Sequence, residues 1–573
     1  MVRKITTTFT EGLQKKKKLC RGMTSLAVIL SLGFFSTTQS NASNNSEVEV
    51  VENRYLIKIK TPKDVSLFEK LLFRAQNAKL LKEQIENSGD IIRALHLKEF
   101  GIMNVQASAE AIKRLTQNNP NIDYVEPVVR WKTTAYDNEA SSLDEAPYHE
   151  DALGFDSINP SPDEENTFSD SLIVAVIDTG MNTEHPYLAS ARSVNQAEAK
   201  GSPGVDDDNN GYIDDIDGIN AINNSGNVED EGTDHGTHVA SLVKSVRDQA
   251  ISEYPVAQKV EILPIRFIDG NGQGSTSTAI KGLQYAHNRG AKVINCSWGA
   301  LGLANYSQAL YDIMVDLYLQ DVLIVAAAGN SSYNDNNDND SVPFFPSSFT
   351  RGIPGFISVG SVSPKYSVSG SQFESIEFSK FSNFGKKSVD ISAPGSMLNG
   401  SFNIGLRGAN ADFSSSSNLF KSKEGTSMAA PLVAGVAGVI RAINPSLTNY
   451  EVKKIILQSA TSEEKLTDRS KSDKVLHASN ALSLALSSVS TGERPAYDSN
   501  PNFTEDDQSA TPSTNNNSNS GGSSGGGGCG AITTGETSTN PLGGNGLLAA
   551  LMFLLVLSRM DLKVFAGKKA SCS

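Results

Sequence analysis

The stretch Leu172 to Gly180 reads LIVAVIDTG, an unbroken apolar run closed by an aspartate and a glycine turn. A short apolar run with no polar alternation is the pattern of a strand buried on both faces. Working outward, the same pattern returns at 260–267 (VEILPIRF), 292–298 (KVINCSW), 322–329 (VLIVAAAG) and 355–362 (GFISVGSV). Helical periodicity appears at 277–290 (STAIKGLQYAHNRG), 306–320 (YSQALYDIMVDLYLQ) and 431–443 (PLVAGVAGVIRAI). Apolar strands alternating with helices predict an α/β fold with a doubly wound, mostly parallel sheet. In such sheets ligands bind beyond the carboxyl ends of the strands, which is where Asp178 falls.

Around that domain the chain divides into parts, as its 573 residues require. Lys15 to Lys18 and Arg21, then the apolar Leu26 to Phe35, then Ser40-Asn41-Ala42, predict a signal peptide over 1–42 and export. Residues 43–135 predict a small α+β module. RYLIKIK (54–60) alternates as a half-buried strand, Val65 to Asn87 has helical spacing, and 92–108 reads as two strands turning at Gly101. SAEAIKRLTQ (108–117) follows as a helix with a serine cap, and NIDYVEPVV (121–129) closes the unit. The main domain is expected over 136–490, with a polar, aperiodic linker near 131–170. Residues 491–545 are a Ser, Asn, Thr, Pro and Gly tether, and 546–573 a short apolar segment with a basic tail.

Composition narrows the function. With 38% hydrophobic and 20% charged residues the chain is not a multi-span membrane protein. A net charge of -14 disfavours nucleic acid and favours bound cations or a soluble life outside the cell. Of four cysteines only Cys296 lies in the main domain, so no disulfide framework forms there.

Four stretches carry chemistry. Asp178 ends its strand, although an aspartate before a glycine often only starts a turn. Asp234 to Ser241 (DHGTHVAS) places His235 and His238 three apart, without the third ligand or the spacing of a zinc helix. Ser427 in Gly425 to Pro431 (GTSMAAP) opens a helix of small residues, where free backbone N–H groups would stabilise an oxyanion. Ala326 to Asn330 (AAAGN) ends another apolar strand on an amide that can donate to such an oxyanion. An Asp-Thr-Gly also marks aspartic proteases, but that chemistry needs a second such motif, and the chain has none.

Together VIDTG, HGTHVAS, AAAGN and GTSMAAP, in that order, resemble the subtilisin family of serine proteases over about Leu172 to Ala460. AKVINCSWG (291–299) is similar to that family's substrate-binding strand, and FSNFGKKSVDISAPG (381–395) to the stretch before its nucleophile. The resemblance implies a serine endopeptidase with Asp178, His235 and Ser427 as triad and Asn330 in the oxyanion hole. It implies substrate contacts at Ser297, Trp298, Gly299, Ala328 and Gly329; Trp298 is bulkier than the leucine often found there and reshapes an extended subsite. The 43–135 module, with Tyr124-Val125-Glu126-Pro127 in its closing strand, resembles the inhibitor-type propeptide of these enzymes, an intramolecular inhibitor that the enzyme itself removes.

The loop DDDNNGYIDDIDG (206–218) sets Asp206, Asp208, Asn210, Gly211, Tyr212 and Asp217 at positions 1, 3, 5, 6, 7 and 12 of an EF-hand-like frame. A structural Ca²⁺ is expected there. The tail resembles the C-terminal sorting signals of some Gram-negative bacteria, which implies a cell-surface or extracellular enzyme with transient membrane anchoring. The competing non-enzyme reading is a calcium-binding surface protein on a dispensable protease scaffold.

Overall fold

The computed structural model describes residues 49–492, apart from 63–72, 75, 79–80, 82–90, 98–99, 118, 134, 139–152, 156–170, 332–336, 368–371, 401 and 414–417. The expected signal peptide and the tail beyond 492 lie outside the described residues, as does most of the helix expected over 65–87, of which 73–74, 76–78 and 81 are helical.

The small module comprises β1 (Val50–Ile59), β2 (Ile91–Leu97), β3 (Ile102–Ala107), α1 (Ala109–Thr116) and β4 (Ile122–Thr133). Its antiparallel sheet runs β4-β1-β3-β2, and Ser108 caps α1 by accepting from the Ala111 N–H. Ile57, Ile59, Met103, Val105 and Ile112 form its core. A three-residue strand, β5 (Tyr136–Asn138), follows β4. The region read as a linker therefore begins with ordered strand; the charged, alternating Arg130-Trp131-Lys132-Thr133 is held extended by partners elsewhere in the chain.

The main sheet is built from β6 (Leu172–Asp178), β7 (Ile219–Asn220), β8 (Val260–Arg266), β10 (Val293–Cys296), β12 (Leu323–Ala327), β14 (Phe356–Tyr366) and β16 (Ile391–Pro394). These lie in the order β16-β14-β12-β10-β6-β8-β7, and each neighbouring pair is parallel. Between them the chain forms α2 (Gln196–Lys200), α3 (His235–Ala250), β9 (Gln273–Ser275), α4 (Thr276–Asn288), β11 (Trp298–Leu301), α5 (Gln308–Leu319), β13 (Phe344–Phe345) and β15 (Phe373–Phe378). Helices α6 (Thr426–Ile443), α7 (Asn449–Ser459) and α8 (Ala478–Thr491) complete it.

Strand alternation splits the core in two. Val174 and Val176 pack with α3, α6, α7 and α8, whereas Ala175 and Ile177 face α4 and α5. The sheet is thus covered on both sides, the doubly wound arrangement the apolar runs predict. Each such fully buried Val or Ile contributes about 1.5–3 kcal/mol. Helix α6 is long and apolar enough to cross a membrane, but it is buried throughout and serves as the central core helix. Its small residues explain how: at Gly435 and Gly438 an added Cβ would lie within 2.9 Å of Val246 and 2.7 Å of Val174.

Candidate active site

Backbone contact brings the first two residues together. Gly180 has φ +116°, and an added Cβ there would stand 2.3 Å from the Val228 carbonyl oxygen. Gly236, second in α3, would place a Cβ 2.2 Å from the Gly180 carbonyl oxygen. The end of β6 and the start of α3 therefore approach this closely because both contact positions are glycine. The Gly236 N–H donates to Thr179 Oγ1 at 2.8 Å, so the threonine of the Asp-Thr-Gly turn satisfies an orphan donor at the helix start. His235 Nδ1 lies 2.7 Å from Asp178 Oδ1, with the side chains 3% and 0% exposed. Asp178 Oδ1 also accepts from the Thr179 N–H at 2.7 Å.

His238, one turn on, is a different kind of residue. It is fully buried, with Nε2 3.1 Å from the Leu406 carbonyl oxygen and 3.2 Å from that of Lys421. Burial, reinforced by Lys423 and His235, holds its pKa down at about 3, so the ring stays neutral. Asp234, in the left-handed region at φ +49°, pairs with Lys423 at 2.7 Å and with Lys421.

Ser427 is the second residue of α6 and is fully buried. It is locked to the strand region by a reciprocal pair: Ser427 Oγ donates to the Ser297 carbonyl at 3.0 Å, and Ser297 Oγ donates to the Ser427 carbonyl at 2.9 Å. His235 Nε2 has no hydrogen-bond partner among the described residues. Ser427 Oγ and His235 Nε2 are therefore not hydrogen-bonded to each other in this arrangement.

Asn330 follows β12. Its Oδ1 accepts from the Thr426 N–H and from Thr426 Oγ1, both at 2.9 Å, which leaves its NH₂ as the donor end. Thr426 Oγ1 also accepts from the Gly329 N–H at 3.0 Å. Gly329 takes φ +98° against Phe344 and Asn383, and Ala328 is braced at its carbonyl by Asn339 Nδ2 at 2.8 Å and Asn383 Nδ2 at 3.1 Å. Thr179, Thr426, Asn339 and Asn383 escaped the sequence reading as positioning residues. Thr179, Thr426 and Asn383 sit inside quoted stretches, so position was legible and role was not. Cys296 is buried, and burial together with Asp178 pushes its thiol up, so it is no nucleophile.

Two of the expected substrate residues lie on a strand edge. Trp298 and Gly299 begin β11, which pairs antiparallel with the end of β4: Trp298 with Thr133 and Gly299 with Lys132. On the other side of β4, β9 pairs Gln273 with Lys132, Gly274 with Trp131 and Ser275 with Arg130.

In the acidic loop the carboxylates that come together are only partly those of the expected ligand set. Only Asp208 of that set joins a carboxylate group, with Glu198 from α2 and Asp215, whose oxygens lie within 4.8 Å of one another. Asp217 instead pairs with Arg192 at 3.0 Å, Asp206 accepts from the Asn210 and Gly211 N–H groups, and the Tyr212 ring packs on Tyr285. No helix follows position 12; β7 does. Asn195 and Asn210 amides and the Tyr285 hydroxyl donate into the group. Burial raises the Asp215 pKa.

A family model described as the subtilase family, peptidase S8, matches residues 169–482. Subtilisin-like protease 1 of Plasmodium berghei is 31% identical over 289 residues, which are 50% of this chain and 45% of that protein. The chain thus spans about half the length of that relative. M-protease of Shouchella clausii is 26% identical over 449 residues, 78% of this chain and 94% of that one. Among solved structures, fervidolysin from Fervidobacterium pennivorans, a keratinolytic enzyme related to subtilisin, aligns with a TM-score of 0.53 at 21% identity. That alignment covers 77% of this chain and 62% of fervidolysin, and it is a likeness of fold.

Proposed function

Starting from a chain that belongs to the subtilase family, we propose an exported serine endopeptidase made as an inhibited precursor. One observation carries the reading: a buried Asp178–His235 pair at 2.7 Å, formed at a corner where only glycines fit, in a chain whose Ser427 opens a buried helix. Ser427 Oγ attacks the scissile carbonyl carbon and its proton passes to His235 Nε2. Asp178 keeps the proton on Nδ1 and balances the imidazolium charge. The Ser427 N–H and the Asn330 NH₂ receive the oxyanion; His235 then protonates the leaving amine, and water releases the acyl group by the same steps in reverse. Removing the matching side-chain donor of subtilisin costs about 10²–10³ in kcat.

The precursor reading is supported by the seam between module and main domain. Glu126 accepts from Ser307 Oγ and from the Gln308 and Ala309 N–H groups at the start of α5. Lys58 pairs with Asp312, Arg74 with Asp316, and the Tyr124 hydroxyl donates to Asp312. The end of β4 fills the cleft between β9 and β11, which blocks substrate while the module stays attached.

Hard oxygen donors at Glu198, Asp208 and Asp215 fit Ca²⁺, which would neutralise three crowded carboxylates and tie α2 to the loop. Export and the transient anchoring implied by the 546–573 tail complete the proposal.

A fluorophosphonate probe tests the chemistry. Matured protein should be labelled at Ser427 and the Ser427→Ala variant should not; equal labelling of the two would refute the nucleophile.

A further inference from the structure

We propose that Phe344 sets the selectivity of this enzyme at the residue whose carbonyl is attacked, so that peptides are cut after glycine, alanine or serine and not after leucine or phenylalanine. The proposal rests on the endopeptidase reading above and deepens it to a substrate class.

Two backbone stretches flank the nucleophile. Ser297 to Gly299 runs on from β10, with the Ser297 carbonyl 3.0 Å from Ser427 Oγ. Ala328 to Asn330 runs on from β12 and is tied to the head of α6. There the Gly329 N–H donates to Thr426 Oγ1 at 3.0 Å, and Asn330 Oδ1 accepts from the Thr426 N–H at 2.9 Å. Strands β10 and β12 are parallel neighbours, with Cys296 opposite Ala326. Beyond their carboxyl ends the two stretches therefore bound a crevice beside Ser427. A peptide carbonyl carbon within reach of Ser427 Oγ, its oxygen turned to the Ser427 N–H and the Asn330 NH₂, lies at the mouth of that crevice. The nearest side chain, on the residue that owns the carbonyl, is the one that enters it.

Phe344 occupies the crevice. A Cβ added at Gly299 would stand 2.5 Å from Phe344 Cζ, and one added at Gly329 would stand 2.7 Å from Cγ of the same ring. The ring thus spans from one wall to the other, and each wall is glycine at the point of contact. Phe344 is 5% exposed. Its backbone pairs with Leu301 in β11, and its N–H donates to Ser348 Oγ at 3.1 Å. Phe345 anchors the same strand, its ring centroid 5.4 Å from that of Tyr306 and 5.1 Å from that of Phe349. The opposite wall is held by the Asn339 and Asn383 amides on the Ala328 carbonyl. Facing glycines would otherwise admit a flat or branched side chain between them; here the chain's own ring fills that volume. A hydrogen, methyl or hydroxymethyl group stops short of the ring, whereas a larger group must displace it from a close-packed site. That displacement corresponds to a loss of about tenfold or more in kcat/KM.

The test uses the matured enzyme produced from the full chain. A peptide library profiled by mass spectrometry supplies a cut sequence, which is then varied only at the residue before the broken bond, as Gly, Ala, Ser, Leu or Phe. We expect kcat/KM for the Ala peptide to exceed that for the Leu and Phe peptides by about tenfold or more. Phe344→Ala vacates the ring's volume and should reverse the order, raising the Phe-to-Ala ratio about 10- to 100-fold. Phe344→Leu should fall between the two, and the wild-type series decides by itself if neither variant folds. Equal wild-type rates across the series, or a folded Phe344→Ala enzyme that keeps the wild-type order, overturns the proposal. If no peptide is cut and Ser427 resists the fluorophosphonate, the endopeptidase reading falls as well. A labelled Ser427 with no preference for small residues strikes the role of Phe344 alone.

Discussion

Two junctions in this molecule are built on opposite principles. At the corner where β6 meets α3, backbone lies on backbone, glycine on glycine, and the Asp178–His235 pair is wholly buried. At the seam where the module meets α5, the contacts are side chains with charge: Glu126 on the helix start, Lys58 on Asp312 and Arg74 on Asp316. The corner has no spare volume, so it holds the Asp178–His235 pair rigidly. The seam depends on protonation and ionic strength, so it can be undone without unfolding either side. The two junctions are thus distinguishable by the physics of their contacts.

The strongest way to break this contrast is at the corner. Asp178→Asn should leave the melting temperature within a few degrees of wild type while kcat drops by about 10⁴, because the amide fixes the wrong imidazole tautomer. Gly236→Ala at the same corner should instead prevent a folded main domain, because the added methyl overlaps the Gly180 carbonyl. Circular dichroism melts beside peptide hydrolysis would separate the two, and a folded, active Gly236→Ala protein would contradict the account of the corner.

The seam should respond to pH in a stated direction. Burial lifts the Glu126 pKa from 4.5 to about 7, against the lowering effect of its Ser307, Ala309 and Gln308 bonds, and burial also raises that of Asp316. A carboxyl that binds its proton more tightly when attached makes attachment proton-linked. The contribution is full below 4.5 and is lost as pH rises through about 7. The cleaved module should therefore dissociate more readily at pH 8 than at pH 5, by at most about tenfold per unit from this group. Inhibition constants across that range provide the measurement, and Glu126→Gln should flatten the slope. An unchanged slope in that variant would place the linkage elsewhere.

The smallest expected effect is at the acidic group. Chelation should lower the melting temperature by roughly 5 °C if Ca²⁺ is present at about a hundred times its Kd. Asp215→Asn should remove that sensitivity, whereas Asp217→Asn should preserve it, because Asp217 serves Arg192. Loss of the response in Asp217→Asn and not in Asp215→Asn would restore the EF-hand frame.

The sheet and the placing of its site were legible because the code for them is local. Unbroken apolar runs leave no alternative to a strand covered on both faces, and Asp178, Asn330 and His235 each stand at a strand end or helix start marked by glycine. Ser427 was legible for the same reason, at the head of a helix whose small residues announce deep burial. Other features depended on residues distant in sequence. Trp131 to Thr133 looked like linker because the charged, polar surroundings hide a strand that the β9 and β11 edges impose. Glu198 lay outside the loop whose ligands were sought, and nothing local separates Asp215 from Asp217.

By itself, then, the sequence determined the α/β architecture, the order of its chemical motifs and the residue types each presents. Only the tertiary structure decided which carboxylates meet, that Ser427 rests on Ser297, and that Trp131 is buried against Trp298 and Thr276. Strand and helix signals arise from the few residues around each position. Pairings across 100 residues or more depend on which surfaces the packed sheet brings face to face, as between Ser427 and Ser297, 130 positions apart.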